Sequence, residues 1–314
     1  MNTQTPRIFL LAGGLLLAGL QPLNAVIFTG NGTDNLWSTS ANWDTFPVAG
    51  NEVSSFTLAN VPASNPAIVD PSFNVTMGIV RVESFESAGD PAGRVFVEVA
   101  DGGTLRTRNI FVGQGGRPAY QGSLTLRSGG TITNDGTGGL DPGVLQIGHT
   151  NSAQNTTANL SFLTIESGAT LQAPRIVQNL GGVVTFLFGT DSVTTLQTTR
   201  ASDGENELNG LLRVDLANLE TMQSYSLITN SNAGVTIGGA LRTWLDTGGG
   251  AFSGSGSFAN SNFEVLNGGT LDWTLSLDNN NQDLVLTVIP EPGTLSLVAI
   301  AGLVAYLVRF RRRT

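Results

Sequence analysis

Cysteine and lysine are absent from the 314-residue chain, and histidine occurs once, as His149. Without cysteine there is no disulfide framework and no thiolate metal site. A zinc centre built on several imidazoles cannot form around one histidine. Neither a Ser-His-Asp nor a Cys-His set has the surroundings it needs, and His149 in "QIGHTN" reads as a turn residue after a strand. Without lysine, the base used by some polysaccharide lyases would fall to arginine, which does not readily lose its proton. Charge is sparse too, at 12% of residues. No stretch shows an amphipathic helical period of useful length, which excludes α-helical repeats.

What is present is glycine, 40 residues of it, with many Ser, Thr and Asn between regularly spaced Val, Leu, Ile and Phe. That composition suits many short strands joined by turns. The length accommodates one elongated or two compact domains, at about 150 residues per domain. Setting aside both ends removes five of the 15 arginines (Arg7, Arg309, Arg311, Arg312 and Arg313) and one of the 24 acids, Glu291. The remaining body has 10 basic and 23 acidic residues, a net charge near −13, which makes nucleic acid a poor partner.

A degenerate repeat dominates the middle: "VEVADGGTL" (97–105), "LTLRSGGTI" (124–132), "LTIESGATL" (163–171) and "FEVLNGGTL" (263–271). Alternation before the glycines predicts a half-buried strand, and the Gly pair supplies the tight turn into the next one. A second strand signal follows the first three, at Ile110, Leu145 and Ile176. It opens five residues after the closing aliphatic in the first and third cases and thirteen after it in the middle case, where "NDGTGGLDPG" intervenes. A repeat that tolerates an insertion at one corner is the mark of stacked rungs.

The predicted fold is therefore all-β: a parallel β-solenoid, β-helix-like, over 26–207 with a Trp-containing N-terminal cap. An antiparallel sandwich is the competing arrangement. From Leu208 the pattern changes, and 208–289 reads as a C-terminal β region ending in a hairpin, "LDWTLSLD" and "DLVLTVI", that either caps the solenoid or belongs to a small sandwich.

Candidate sites in the body are few. Trp37 and Trp43, six residues apart, are either a glycan-stacking platform or an aromatic closure of one end of the core. Asp203, Glu205 and Glu207 form the densest acidic patch, read as solvated rather than as a glycosidase-type carboxylate pair. The loop "LDNNNQDL" (277–284) offers hard oxygen ligands for calcium but lacks the helix-loop-helix spacing, which favours a plain hairpin turn. "VGQGGR" has the glycines of a phosphate loop without the lysine. No catalytic residue, no metal ligand and no cofactor is assigned.

Both ends carry targeting signals. Residues 1–25 read as a signal peptide addressed to the Sec translocon: Arg7, an apolar run from Ile8 to Leu20, and cleavage after Ala25. The run is short for an N-terminal anchor. At the other end, Pro290-Glu291-Pro292 precedes 14 apolar residues, Leu295 to Val308, and the arginines Arg309, Arg311, Arg312 and Arg313. As a helix the run spans about 21 Å against a hydrocarbon core of about 30 Å, a marginal single transmembrane helix. Its basic end would stay cytoplasmic, placing the body across the membrane. A permanent anchor is the alternative reading.

The order of motif, short apolar helix and terminal arginine cluster over 290–314 resembles the PEP-CTERM sorting signal of Gram-negative bacteria. The "NLWSTSANWDTF" opening, the "GGTL" rungs and the closing "DLVLTVIPEP" are similar to secreted, autotransporter-like β-repeat proteins that carry this signal. The resemblance implies recognition of Pro290, Glu291 and Pro292 by an exosortase, a membrane cysteine protease-transpeptidase. It implies a transient anchor, then residence at the cell surface or in the extracellular matrix alongside exopolysaccharide and biofilm. It implies no catalytic activity. A carbohydrate-binding or polysaccharide-degrading β-helix protein is the second functional reading.

Overall fold

The alternating aliphatics of the repeat fall on successive parallel strands, one above another, and the Gly-containing segments between them form corners. The computed structural model describes residues 25–56, 61–83, 93–114, 120–134, 143–150, 159–199, 204–231 and 235–289. Residues 1–24 of the expected signal peptide, Asp203, and the tail from Pro290 to Arg313 lie outside the described residues. Among the described residues no helix is long and apolar enough to cross a membrane.

Strands β1 (Ala25–Phe28) and β2 (Glu52–Phe56) open the fold. The first two rungs are β3 (Ala67–Val69) with β4 (Thr76–Val82), then β5 (Gly93–Val99) with β6 (Thr104–Val112). The third is β7 (Tyr120–Leu126), β8 (Thr131–Asn134) and β9 (Leu145–Ile147); the fourth is β10 (Ser161–Glu166), β11 (Thr170–Ala173) and β12 (Ile176–Gln178). The fifth is β13 (Gly182–Leu187), β14 (Leu196–Thr198) and β15 (Gly204–Leu208); the sixth is β16 (Leu211–Asp215), β17 (Ser224–Asn230) and β18 (Val235–Gly238). Helix α1 (Gly239–Thr247) follows, then β19 (Ala251–Ser255), β20 (Phe258–Ala259), β21 (Phe263–Leu266), β22 (Asp272–Asp278) and β23 (Asp283–Ile289).

These strands make an all-β, solenoid-like stack with three faces. The first face is the parallel run β3-β5-β7-β10-β13-β16-β21. The second and third faces share one sheet: β8, β11, β14 and β17 continue the front of β6, whereas β9, β12, β15 and β18 continue its back. The split explains the thirteen-residue spacing. β8 pairs with Thr104–Thr107 and β9 with Ile110–Val112, so the extra residues leave the stack at the corner between the second and third faces. Residues 135–142 of that insertion lie outside the described residues.

The core is a set of in-register ladders. Ala67, Val97, Leu124, Leu163, Val184, Leu212 and Phe263 form one column of the first face, all buried. Opposite it stand Leu105, Ile132, Leu171, Leu196 and Ile228. Each fully buried aliphatic contributes roughly 1.5–3 kcal/mol over its exposed form. The first column runs straight through residue 208. Beyond residue 208 the corner between the first and second faces is long, the eight residues 216–223 standing in place of the four of 100–103.

The three corners use different chemistry. Gly-containing turns join the first face to the second, with positive φ at Gly102, Gly129 and Gly168. Buried polar side chains serve the corner between the second and third faces, where the bend leaves backbone groups without ladder partners. Asn206, fully buried, accepts from the Ile176 N–H at 3.0 Å and donates to Thr198 Oγ1 at 3.1 Å and Asn230 Oδ1 at 2.8 Å. Asn206→Leu puts an aliphatic into an aliphatic ladder yet strands that N–H, so it is expected to cost about 1–3 kcal/mol in urea denaturation. A more stable variant would contradict this role.

Both ends are closed. The segment after β1 folds back over two strand edges: the Trp37 N–H donates to Ile68 O and the Ile68 N–H to Asn35 O on β3, while the Asp44 N–H donates to Ile27 O on β1. Asp34 pins this loop; the Leu36 N–H, with Thr39 and Asn42, holds its carboxyl below the usual carboxylate range. At the far end β23 pairs antiparallel with β17, β22 with β23, and β20 with β21. Unpaired edges would otherwise template association. The expected hairpin is thus present, with Asn279, Asn280 and Asn281 at positive φ in its turn. Helix α1 was not expected: its segment follows a strand-like run, and its helical signal is one turn of Leu241 and Leu245, both buried, beside an Arg242–Asp246 ion pair.

Candidate functional site

The outward positions distinguish the three faces. On the first face charge flanks hydroxyls: Glu98, Thr125, Thr164, Thr185, Arg213 and Glu264 form one column. Arg127 bridges Glu98 and Glu166, each at 2.7 Å, and Arg213 meets Glu264 at 2.5 Å. The two carboxylates hold the Arg127 guanidinium even more firmly protonated than usual. Half-exposed as it is, Arg127 contributes at most about 1 kcal/mol through these pairs. At the opposite end of the same strands Arg94 lies over the Phe162 ring at 4.2 Å, and burial lowers its pKa from the ordinary value. The third face carries Arg81, paired to Glu52 and set 4.9 Å from the Phe111 ring centroid.

The second face is different. Its outward side chains form two columns that follow from the strand register. One is Thr104, Thr131, Thr170 and Thr195; the other is Thr76, Arg106, Thr133, Gln172, Gln197 and Thr229. Arg106 is the one charge, and it donates to Asn74 Oδ1 at 2.9 Å. The side chains of Thr131, Thr133, Thr170, Gln172 and Gln197 have no hydrogen-bond partner among the described residues. The rungs repeat at about 4.8 Å along the stack and the two columns stand about 6.6 Å apart, so the strip is a regular lattice of hydroxyls and amides.

A cleft of about 330 Å³ opens onto this strip at the fourth and fifth rungs, lined by Gly168, Thr170, Ser192, Thr194, Thr195 and Gln197 among others. The eight-residue corner 188–195 builds its wall, and hydrogen bonds stiffen it. Thr194 Oγ1 donates to Glu166 O at 2.7 Å and accepts from the Ala169 N–H at 3.0 Å. Ser167 and Ser192 hydroxyls meet at 2.8 Å, and Thr195 Oγ1 donates to Ser226 O at 2.8 Å. Thr170 and the amide of Gln197 are left facing the cleft and the strip. The arrangement can exchange hydrogen bonds with a hydroxyl-rich ligand; it places no acid beside a base.

The residues singled out from sequence fare differently. Trp37 and Trp43, 0% and 6% exposed, interlock edge to face at 5.2 Å with Phe28, Phe56 and Phe73 around them. Stacking on sugar needs an open indole face. The glycan-platform reading of Trp37 and Trp43 is therefore corrected: they plug the first end of the core, and the Trp43 indole N–H donates to Trp37 O. Trp244, Phe252, Phe258, Phe263 and Trp273 do the same at the other end.

Glu205 and Glu207 flank the inward Asn206 on β15, and Glu205 is exposed. His149 is fully buried directly after β9. In the 277–284 turn, Asp278 accepts from the Asn279 N–H and Asp283 from the Asn230 N–H, so both carboxylates serve the hairpin. No cluster of three or more His, Cys, Asp or Glu able to hold a metal occurs among the described residues. Ala25 is the exposed first residue of β1, and Val26 after it is buried. The strip itself was missed, although "TIT" at 131–133, "TLQ" at 170–172 and "TLQ" at 195–197 spell it out. Compared with known protein families, with curated proteins and with solved structures, the chain matches none.

Proposed function

We propose that the chain is an exported protein of the Gram-negative cell surface or extracellular matrix. In this reading the Sec translocon carries it across the inner membrane, and an exosortase processes the tail at Pro290-Glu291-Pro292. The body then acts as a non-catalytic adhesive module associated with exopolysaccharide. The observation that carries the adhesive part is the strip of hydroxyls and amides on the second face, with its cleft and the single charge of Arg106, held on a stack sealed at both ends. Length favours adhesion over spacing in this reading: seven strands of the first face stack to about 30 Å, short for a long spacer.

Two features support the sorting part. Strand β23 ends at Ile289, immediately before the motif, so cleavage there would leave every described strand intact. Cleavage after Ala25 would remove the exposed first residue of β1 and leave Val26, its first buried one, at the new terminus. Support for the non-catalytic part is that Glu52, Glu98, Glu166, Asp246 and Glu264 are bound to arginines. Fractionation tests the reading: in cells without the exosortase the chain should stay in the inner-membrane fraction, whereas in cells with it the body should reach the cell surface or matrix. The same distribution in both, or release of sugars from a polysaccharide by the purified protein, would overturn it.

A further inference from the structure

We propose that the second face binds one neutral, unbranched polysaccharide chain laid along the stack axis, with one sugar seated in the cleft between Thr170 and Gln197. This rests on the adhesive reading above and adds to it a binding site and a ligand class. Three observations select the ligand. The strip from Thr104 to Thr229 holds hydroxyls and amides, which both donate and accept, matching sugar hydroxyls that do the same. Its one guanidinium is held by Asn74, and the body around it is strongly acidic, so a polyanion meets repulsion and a neutral chain does not.

The third observation is the repeat. A threonine recurs at four successive rungs, Thr104, Thr131, Thr170 and Thr195, with Gln172 and Gln197 beside the last two, and a sugar unit of an extended chain spans close to one rung spacing. Each sugar can therefore meet the contacts its neighbour meets one rung away. No aromatic ring stands on the strip, so each contact is individually weak and affinity accumulates with the number of sugars engaged. The cleft breaks the translational symmetry and fixes one register. Gln172 and Gln197, adjacent in one column, are the longest uncharged side chains of the strip, and each amide both donates and accepts.

The test is calorimetric titration of the full-length protein with cellobiose, cellohexaose and an oligogalacturonate of matched length. Cellohexaose should bind, cellobiose at least about tenfold more weakly, and the acidic oligomer more weakly still. The double variant Gln172→Ala, Gln197→Ala should weaken cellohexaose binding by about tenfold or more with an unchanged thermal midpoint. Thr164→Ala, on the first face, should bind as the unaltered protein does. Failure of cellohexaose to bind, equal binding of the acidic oligomer, or indifference to the glutamine variant would overturn the assignment. Fractionation separates the two readings. Tail processing and surface retention without glycan binding remove the strip's role alone. Glycan binding without tail processing removes the sorting reading alone.

Discussion

Gly122→Ala should lower the unfolding free energy by on the order of 3 kcal/mol, although alanine is the better strand residue. Gly122 lies in β7 at the corner where the third face turns into the first. A β-carbon there would stand 1.9 Å from Val82 O and 3.2 Å from a Val112 methyl. The obstacle is backbone, which cannot swing aside as a side-chain end can. Ser161 and Gly182 follow at the same corner one and two rungs on, and a β-carbon on Gly210 would stand 2.1 Å from Gly182 O. The corner is thus kept small from the third rung to the sixth, after Val95 in the second. Gly249→Ala is the control: its φ of +77° is unfavourable for alanine, but nothing lies within 4 Å, so only a cost near 1 kcal/mol is expected. Urea midpoints of the two variants decide, and a Gly122→Ala protein as stable as the parent would refute the tight corner.

Trp37→Ala should cost about 3–5 kcal/mol, the range for removing a fully buried aromatic. The indole touches Phe28, Trp43, Phe56 and Phe73, with ring centroids 5.2–6.4 Å away. Its own backbone pairs with Ile68, so loss of the ring also loosens the loop that covers the β3 edge. The exposed edges of β1 and β3 then become templates for association. Denaturation together with light scattering should show a lower midpoint and concentration-dependent aggregation, with Trp37→Phe intermediate. A Trp37→Ala protein of parental stability that had lost sugar binding would restore the stacking-platform reading.

The first face was legible wherever its strands ended in a short Gly turn. Val97, Leu124, Leu163 and Phe263 open the four recognised motifs and stand in one ladder. Val184 and Leu212 belong to that ladder too, but longer corners follow them, so the turn chemistry that flags the others is missing. The corner glycines were visible as composition only, because their role depends on backbone brought from 40 residues away, as Val82 is to Gly122. The two tryptophans were legible as an aromatic closure, yet sequence alone could not decide their exposure. The strip of the second face was hardest. Thr133, Gln172 and Gln197 are ordinary polar strand residues until register places them one above another.

The central claim is that residues 26–289 form a self-contained body delivered by removable ends. Intact-mass analysis of the protein recovered from cells with and without their exosortase tests it most directly. The expected result is a species beginning at Val26 and ending near Pro290, present only when the enzyme is present. A species that keeps the arginine cluster in both strains would make the tail a permanent anchor and contradict the claim.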